Sequence, residues 1–159
     1  WTQEFGNHEE VMIVSADKDF KQLQKYNNVR QYSNIIKKFV DEPNPRLYLE
    51  EHILTGCGTD GVPNVLSDDN VFIEGRRQRP LSKKKMNSWV EEVFMTFTEE
   101  EQKNYNRNRK LIDLNCIPQE LEDKINNEFL NVEVAGRDKI LNYFITKKLK
   151  TLIEVIDEF

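Results

Sequence analysis

The chain has 159 residues, 38% hydrophobic and 32% charged, with a formal net charge of −5. That length suffices for one domain or two small ones with a sizeable core, and the recurrence of aliphatic and aromatic residues excludes wholesale disorder. No apolar run approaches the roughly 18 to 20 residues that cross a bilayer, so a membrane-spanning helix is excluded.

Cys57 and Cys116 stand far apart, without Cys or His partners at zinc spacing. Residues 1–10 carry no signal-peptide pattern, so the expected setting is a reduced intracellular compartment. The chain opens at Trp1 and runs within ten residues into a strand, the look of a piece of something longer.

The run Val11-Met-Ile-Val-Ser15 reads as a buried strand. A helix is predicted to follow through Leu23, since Phe20 and Leu23 are three apart and the stretch lacks Gly and Pro. Residues 29–32 and 35–40 read as a hairpin or two edge strands around Ser33-Asn34. Asn44 then caps a helix with Pro45 at its first position, carrying Leu47, Ile53 and Leu54 and stopping at Gly56-Cys57-Gly58. A short helix is expected over 62–66.

From there the pattern is helical. Ser82 caps a helix whose apolar stripe is Met86, Trp89, Val90, Val93, Phe94 and Phe97, a core pattern. Thr98-Glu-Glu-Glu101 is a capping box opening a helix to about Lys110. Pro118 opens another, with Leu121, Ile125 and Phe129 on one face; Gly136 breaks the chain, and one or two helices finish it over 137–156. The expected fold class is an α/β remnant, the last strands of a mostly parallel sheet with helices, over 1–42, followed by a mainly α-helical domain over 43–159. His8 and His52 stand isolated and are expected to be surface or packing residues.

Three features carry chemistry. Asp17 and Asp19 leave the C-terminal end of the first strand as Asp-x-Asp, where α/β sheets bind ligands. Two such carboxylates can converge on a hard cation such as Mg²⁺, or Asp19 can simply cap the following helix. The glycine-rich loop Gly56-Cys-Gly58-Thr59-Asp60-Gly61-Val-Pro-Asn64 permits close backbone approach to an anion, and amides at the start of a following helix can hold a phosphate. Within it Asp60 either caps that helix or points back toward Asp17 and Asp19. Finally, six of the ten residues over 76–85 are basic: Arg76, Arg77, Arg79, Lys83, Lys84 and Lys85. Taking their +6 from the net −5 leaves about −11 on the rest, so the acidic average hides a local reversal. Such a run is either a solvated surface or a phosphate contact.

Together, Ile13-Val-Ser-Ala-Asp17-Lys-Asp19-Phe-Lys-Gln-Leu23 and Leu54-Thr-Gly56-x-x-x-Asp60-Gly-Val-Pro-Asn64-Val resemble the structure-specific 5′ nucleases, the family of flap endonucleases and 5′-to-3′ exonucleases. Within that family the likeness is to the replication ribonucleases H of T-even-like phages. It continues through Ser67-Asp-Asp69, Phe97 to Glu101, Tyr105, Leu111 to Leu114, Ile117-Pro118, Tyr143-Phe144 and Asp157-Glu-Phe159.

The resemblance implies hydrolysis of RNA primers or 5′ DNA flaps with two Mg²⁺ ions, Mn²⁺ being a substitute, by the in-line chemistry of two-metal sites. It implies Asp17, Asp19 and Asp60 as catalytic metal ligands. It also implies a helix-three-turn-helix element that grips the duplex backbone through Gly56, Gly58, Thr59 and Gly61, a grip extended by Arg76, Arg77, Arg79, Lys83, Lys84 and Lys85. The implied partners are duplex DNA or an RNA–DNA hybrid with a 5′ end or flap, and a phage single-strand DNA-binding protein. No membrane is implied, and the implied location is the cytoplasm of an infected bacterium. Members commonly carry an acidic residue at the position of Cys57. The family also begins with a larger half that supplies further carboxylates, so the 159 residues alone are expected to bind without cleaving. Two other readings compete: a non-catalytic duplex-binding module, and a haloacid-dehalogenase-type phosphatase, whose motifs need several βαβ units where only some forty residues lie.

Overall fold

The structure, a computed structural model, describes residues 1–91, 97–132 and 137–158. Val93, Phe94, Gly136 and Phe159 lie outside the described residues. Two compact units are present, Trp1–Ile117 and Pro118–Phe159.

The first unit opens on a four-residue helix, α1 (Thr2–Phe5), which the residue pattern does not announce. Three strands then form one sheet in chain order: β1 (Val11–Val14), β2 (Val29–Ser33) and β3 (Lys38–Val40). β1 runs parallel to β2, Val11 opposite Val29 and Val14 opposite Tyr32. Parallel neighbours need a crossover, here the 3₁₀ segment Lys18–Lys25 rather than an α-helix. β2 and β3 are the predicted hairpin, antiparallel with Tyr32 opposite Phe39. The second strand is shorter than 35–40, because Ile35 and Ile36 are exposed in the connecting turn that ends at Lys37, φ 53°.

The sheet corrects one expectation. β1 is not buried on both faces: Met12 and Val14 are 56% and 63% exposed. Side chains alternate across a sheet, and the covered face is the one carrying Val29, Gln31 and Ser33. A run of four apolar residues reports strand character and leaves open which face has a cover.

α2 (Pro45–Thr55) begins as predicted: the Asn44 side chain accepts from the Leu47 amide at 3.1 Å, with Pro45 at the first position. It ends at Gly56, whose φ of 69° disfavours other residues. The short helix expected over 62–66 does not form. A single 3₁₀ turn, Gly58–Asp60, is followed by irregular chain. Pro63 has no N–H and restricts Val62, and the amides of Val62 and Val65 bond to the carbonyls of Cys57 and Leu54. Residues 62–66 therefore supply no second helix directly after the glycine turn.

α3 (Lys83–Glu91) starts after Ser82, whose hydroxyl accepts from the Lys85 amide. α4 (Glu99–Ile112) carries the complete capping box between Thr98 and Glu101. Buried Ile53, Cys57, Val62 and Ile112 form one core cluster, and Leu54, Val65 and Trp89 a second. Tyr105 packs on both clusters, and Phe97 lies edge-on against Trp89.

Glu101 also bonds Lys85 Nζ at 2.7 Å, joining the start of α4 to α3. Burial pushes its carboxyl up, but the Lys85 and Thr98 hydrogen bonds outweigh that, leaving it below the ordinary value of 4.5. A carboxylate depressed in the folded state stabilises above its unfolded pKa and loses that contribution as pH falls through the folded one. Glu101→Gln, which keeps a capping-box partner, is expected to cost about 1 kcal/mol at pH 7. The cost fades below pH 4.5, as urea midpoints at the two pH values will show.

The second unit holds α5 (Gln119–Leu130), α6 (Ile140–Thr146) and α7 (Lys150–Ile153). Pro118 opens α5 as predicted, with Leu121, Ile125 and Phe129 on one face, all largely exposed. Phe144 is buried.

Candidate metal and nucleic-acid site

Asp17 and Asp19 sit at the exit of β1, as their spacing predicts. The capping residue is Asp17: its Oδ1 accepts from the Asp19 amide at 2.9 Å. The exit is held from β2 by Gln31, 1% exposed, whose Nε2 donates to the carbonyls of Ser15 and Asp17 at 3.0 and 2.7 Å. Gln22, also buried, ties the crossover to the end of α4 through the Ile112 carbonyl and the Leu114 amide. Asp19, on that crossover, faces α2.

Asp19 faces a residue that no sequence motif singles out. His52 on α2 is 8% exposed, and its Nε2 lies 3.5 Å from Asp19 Oδ1. Neither atom has a hydrogen-bond partner. Burial pushes the Asp19 carboxyl up; His52 opposes this, and the charges of Asp17 and Asp60 add to it. Burial likewise pulls the His52 pKa down, against the charge of Asp19. On the far side of the ring, Nδ1 lies 3.3 Å from the Tyr48 hydroxyl, one helical turn earlier. The signal available in the sequence is the Tyr48/His52 spacing of four, which puts both on one face of α2.

The glycine loop folds back on itself. A Cβ at Gly56 would meet the carbonyl oxygens of Val62 and Pro63 at 2.4 and 2.6 Å, so its close approach is to its own chain. Gly58 and Gly61 are exposed, and Gly61 is left-handed at φ 75°. Asp60 does not cap a second helix: its Oδ2 accepts from the Cys57 thiol at 2.8 Å, and Cys57 Sγ also lies 3.0 Å from Thr59 Oγ1. Cys57 is buried.

A polar face of α4 holds this loop, and no periodicity of apolar residues announces it. Asn108, fully buried, donates through Nδ2 to the carbonyls of Ile53 and Pro63, both at 2.8 Å. Asn104 donates to the carbonyls of Val65 and Ser67. Arg107 reaches the Pro63 carbonyl at 3.1 Å and pairs with Asp69.

Among the described residues, no three His, Cys, Asp or Glu side chains come together as a group able to hold a metal ion. What fits a hard cation is narrower: the carboxyl of Asp19, raised chiefly by burial and further by the charges of Asp17 and Asp60. A divalent ion relieves that repulsion and accepts carboxylate oxygens.

The basic run divides in two. Arg76 pairs with Glu74 at 2.7 Å and Asp68 at 3.6 Å, Arg79 approaches Glu100 at 4.0 Å, and Lys85 bonds Glu101. Among the described residues, no ion pair engages Arg77, Lys83 or Lys84, and all three are exposed. Arg76, Arg77 and Arg79 line a groove of about 510 Å³ with Thr55, Asn64 and Phe72, beside the glycine loop.

This chain matches the family described as T4 RNase H, C terminal, over residues 44–159, and it belongs to that family. It is 32% identical over 157 residues to the ribonuclease H of Enterobacteria phage T4, an alignment covering 94% of this chain and 52% of that protein. The chain thus spans about half the length of the curated relative it matches. No helix among the described residues is long and apolar enough to cross a membrane.

Proposed function

We propose that the chain is the C-terminal part of a divalent-metal-dependent 5′ nuclease that removes RNA primers or 5′ flaps from duplexes. The observation that carries this is the alignment with a phage ribonuclease H, which runs through both the Asp-x-Asp exit and the glycine loop. Asp17, Asp19 and Asp60 belong to its carboxylate cluster. They would hold Mg²⁺ or Mn²⁺ ions, which supply Lewis-acid stabilisation of phosphoryl oxygens and an activated water.

Residues 43–159 bind the duplex. Gly58, Thr59 and Gly61 present the exposed loop backbone to phosphate, and Gly56 shapes that loop. Arg77, Lys83 and Lys84 add charge, with Arg76, Arg79 and Lys85 behind them in ion pairs. Phosphate contacts position a protein on a duplex regardless of sequence, so an acidic chain with one basic surface is adequate.

The test is calorimetric titration of MnCl₂ into the 159-residue chain, wild type and Asp19→Asn. The wild type is expected to bind weakly, since much of the cluster lies in the part of the relative that this chain does not span, and Asp19→Asn to lose that binding. Equal Mn²⁺ affinity in the two proteins would overturn the assignment. A second reading, a duplex-binding module without metal chemistry, rests on the lack, among the described residues, of a three-ligand group. It predicts duplex binding by a wild type that takes up no Mn²⁺. The phosphatase reading loses its basis, because α2 stands where that fold needs a strand.

A further inference from the structure

We infer that His52 is a positioning residue for Asp19: its Nε2–H holds one oxygen of that carboxylate in place and so presents the other to the cation. This rests on the metal reading above. Its basis is two buried polar atoms, each without a hydrogen-bond partner, that face each other.

A buried polar atom without a partner costs roughly 1–3 kcal/mol and is uncommon in folded proteins. Among the described residues, two such side-chain atoms are found, Asp19 Oδ1 and His52 Nε2, and they are 3.5 Å apart. A shift of a few tenths of an ångström makes them one hydrogen bond. The direction of that bond is fixed by chemistry. An ionised carboxylate only accepts, so Nε2 must carry the proton, and a neutral imidazole then accepts at Nδ1.

The structure supplies the matching donor: the Tyr48 hydroxyl, 3.3 Å from Nδ1. Its pKa is pushed up to about 12, chiefly by burial and then by the charge of Asp19, so it remains a phenol. Tyr48 is itself held by the Lys21 ammonium, 4.7 Å from its ring centre, and Lys21 is anchored by Glu42 at 3.3 Å. The imidazole is therefore oriented from behind and points its N–H at Asp19. With Nε2 protonated, His52 is no metal ligand. It is the outer partner that ligating carboxylates usually have, and loss of such a partner weakens metal binding about 10–100-fold.

Two measurements on the 159-residue chain test this. Long-range ¹H–¹⁵N spectra at pH 8 are expected to show His52 as the Nε2–H tautomer, with its Nε2 shift moved in Asp19→Asn and its tautomer preference weakened in Tyr48→Phe. A wild-type Nδ1–H tautomer overturns the inference, and this needs no variant to fold. In MnCl₂ titrations, His52→Ala is expected to bind about 10–100-fold more weakly than wild type. His52→Gln, which carries an amide N–H near the Nε2 position, is expected to recover most of that loss. Mn²⁺ binding that Asp19→Asn abolishes and His52→Ala leaves intact overturns the positioning role alone. A wild-type chain that takes up no Mn²⁺ overturns the metal reading and the positioning role with it.

Discussion

Replacing Asn108 by Leu is expected to destabilise the first unit by about 2–5 kcal/mol, a large share of the roughly 5–15 kcal/mol that holds a domain together. The side chain is fully buried, and its one amide nitrogen serves the carbonyls of Ile53 and Pro63. Leu has similar bulk and fills the space, so packing loss is small. What is lost is the pairing of two buried carbonyls, each worth about 1–3 kcal/mol when stranded, and the Oδ1 that accepts from Arg107 Nε at 2.9 Å. Arg107 still reaches Pro63, which places the total below the upper limit.

The melting temperature is expected to fall by about 8–20 °C. Asn108→Asp keeps the acceptor for Arg107 Nε but sets a buried carboxylate oxygen against the same two carbonyl oxygens, so it too is expected to destabilise. A Leu variant melting within about 2 °C of wild type would show that Asn108 is merely a filler. Because Ile53 ends the body of α2 and Pro63 closes the glycine loop, the same change is expected to loosen the Asp60 region and weaken duplex binding even where the protein stays folded.

Asn108 also shows why parts of this molecule are illegible before folding. Its role depends on two carbonyls that lie 55 and 45 residues earlier, and no local pattern encodes their arrival at one face of α4. Elements with local causes were legible: the Asn44-Pro45 start, the Gly56 stop, the Thr98–Glu101 capping box and the Pro118 start rest on residues within four positions of each other, and the hairpin on pairs five to nine positions apart. What failed depended on neighbours in space. The run 11–14 cannot reveal that Met12 and Val14 lack a cover. The loop after Gly56 reads as helix, turn, helix until Pro63 and the backbone bonds to Cys57 and Leu54 are placed together.

The candidate site divides along the same line. The place of Asp17 and Asp19 at the exit of β1 is legible because Asp-x-Asp after a short apolar run is a local arrangement. His52 is not, since it stands 33 positions after the carboxylate it faces. An isolated histidine reads as packing, and only burial with an unsatisfied nitrogen aimed at Asp19 gives it a part. Cys57 is intermediate: its spacing to Asp60 is visible, but that its thiol would donate to that carboxylate depends on the 3₁₀ turn between them.

The triple variant Arg77→Ala/Lys83→Ala/Lys84→Ala is expected to reduce affinity for a 5′-overhanging duplex by about two to three decades at 0.1 M salt while leaving the fold intact. These cations are the part of the basic run without ion pairs among the described residues, so their charge is open to phosphate. Each phosphate contact contributes about 0.9 to the salt slope of log K, and losing three flattens it by about 2.7, which extrapolates to that loss at 0.1 M.

Lys85→Ala removes one charge from the same run with the opposite balance. Its ammonium is already bonded to Glu101 and lies 4.5 Å from the Trp89 ring centre, so binding is expected to fall little and stability by about 1 kcal/mol. Titrations at several salt concentrations separate the two. If the triple variant kept the wild-type slope, the duplex would not lie against these residues, and the glycine loop alone would have to carry it. If Lys85→Ala flattened the slope as much as each of the three, its pairing with Glu101 would be broken on binding, and α3 and α4 would have to part at their starts to accept the duplex.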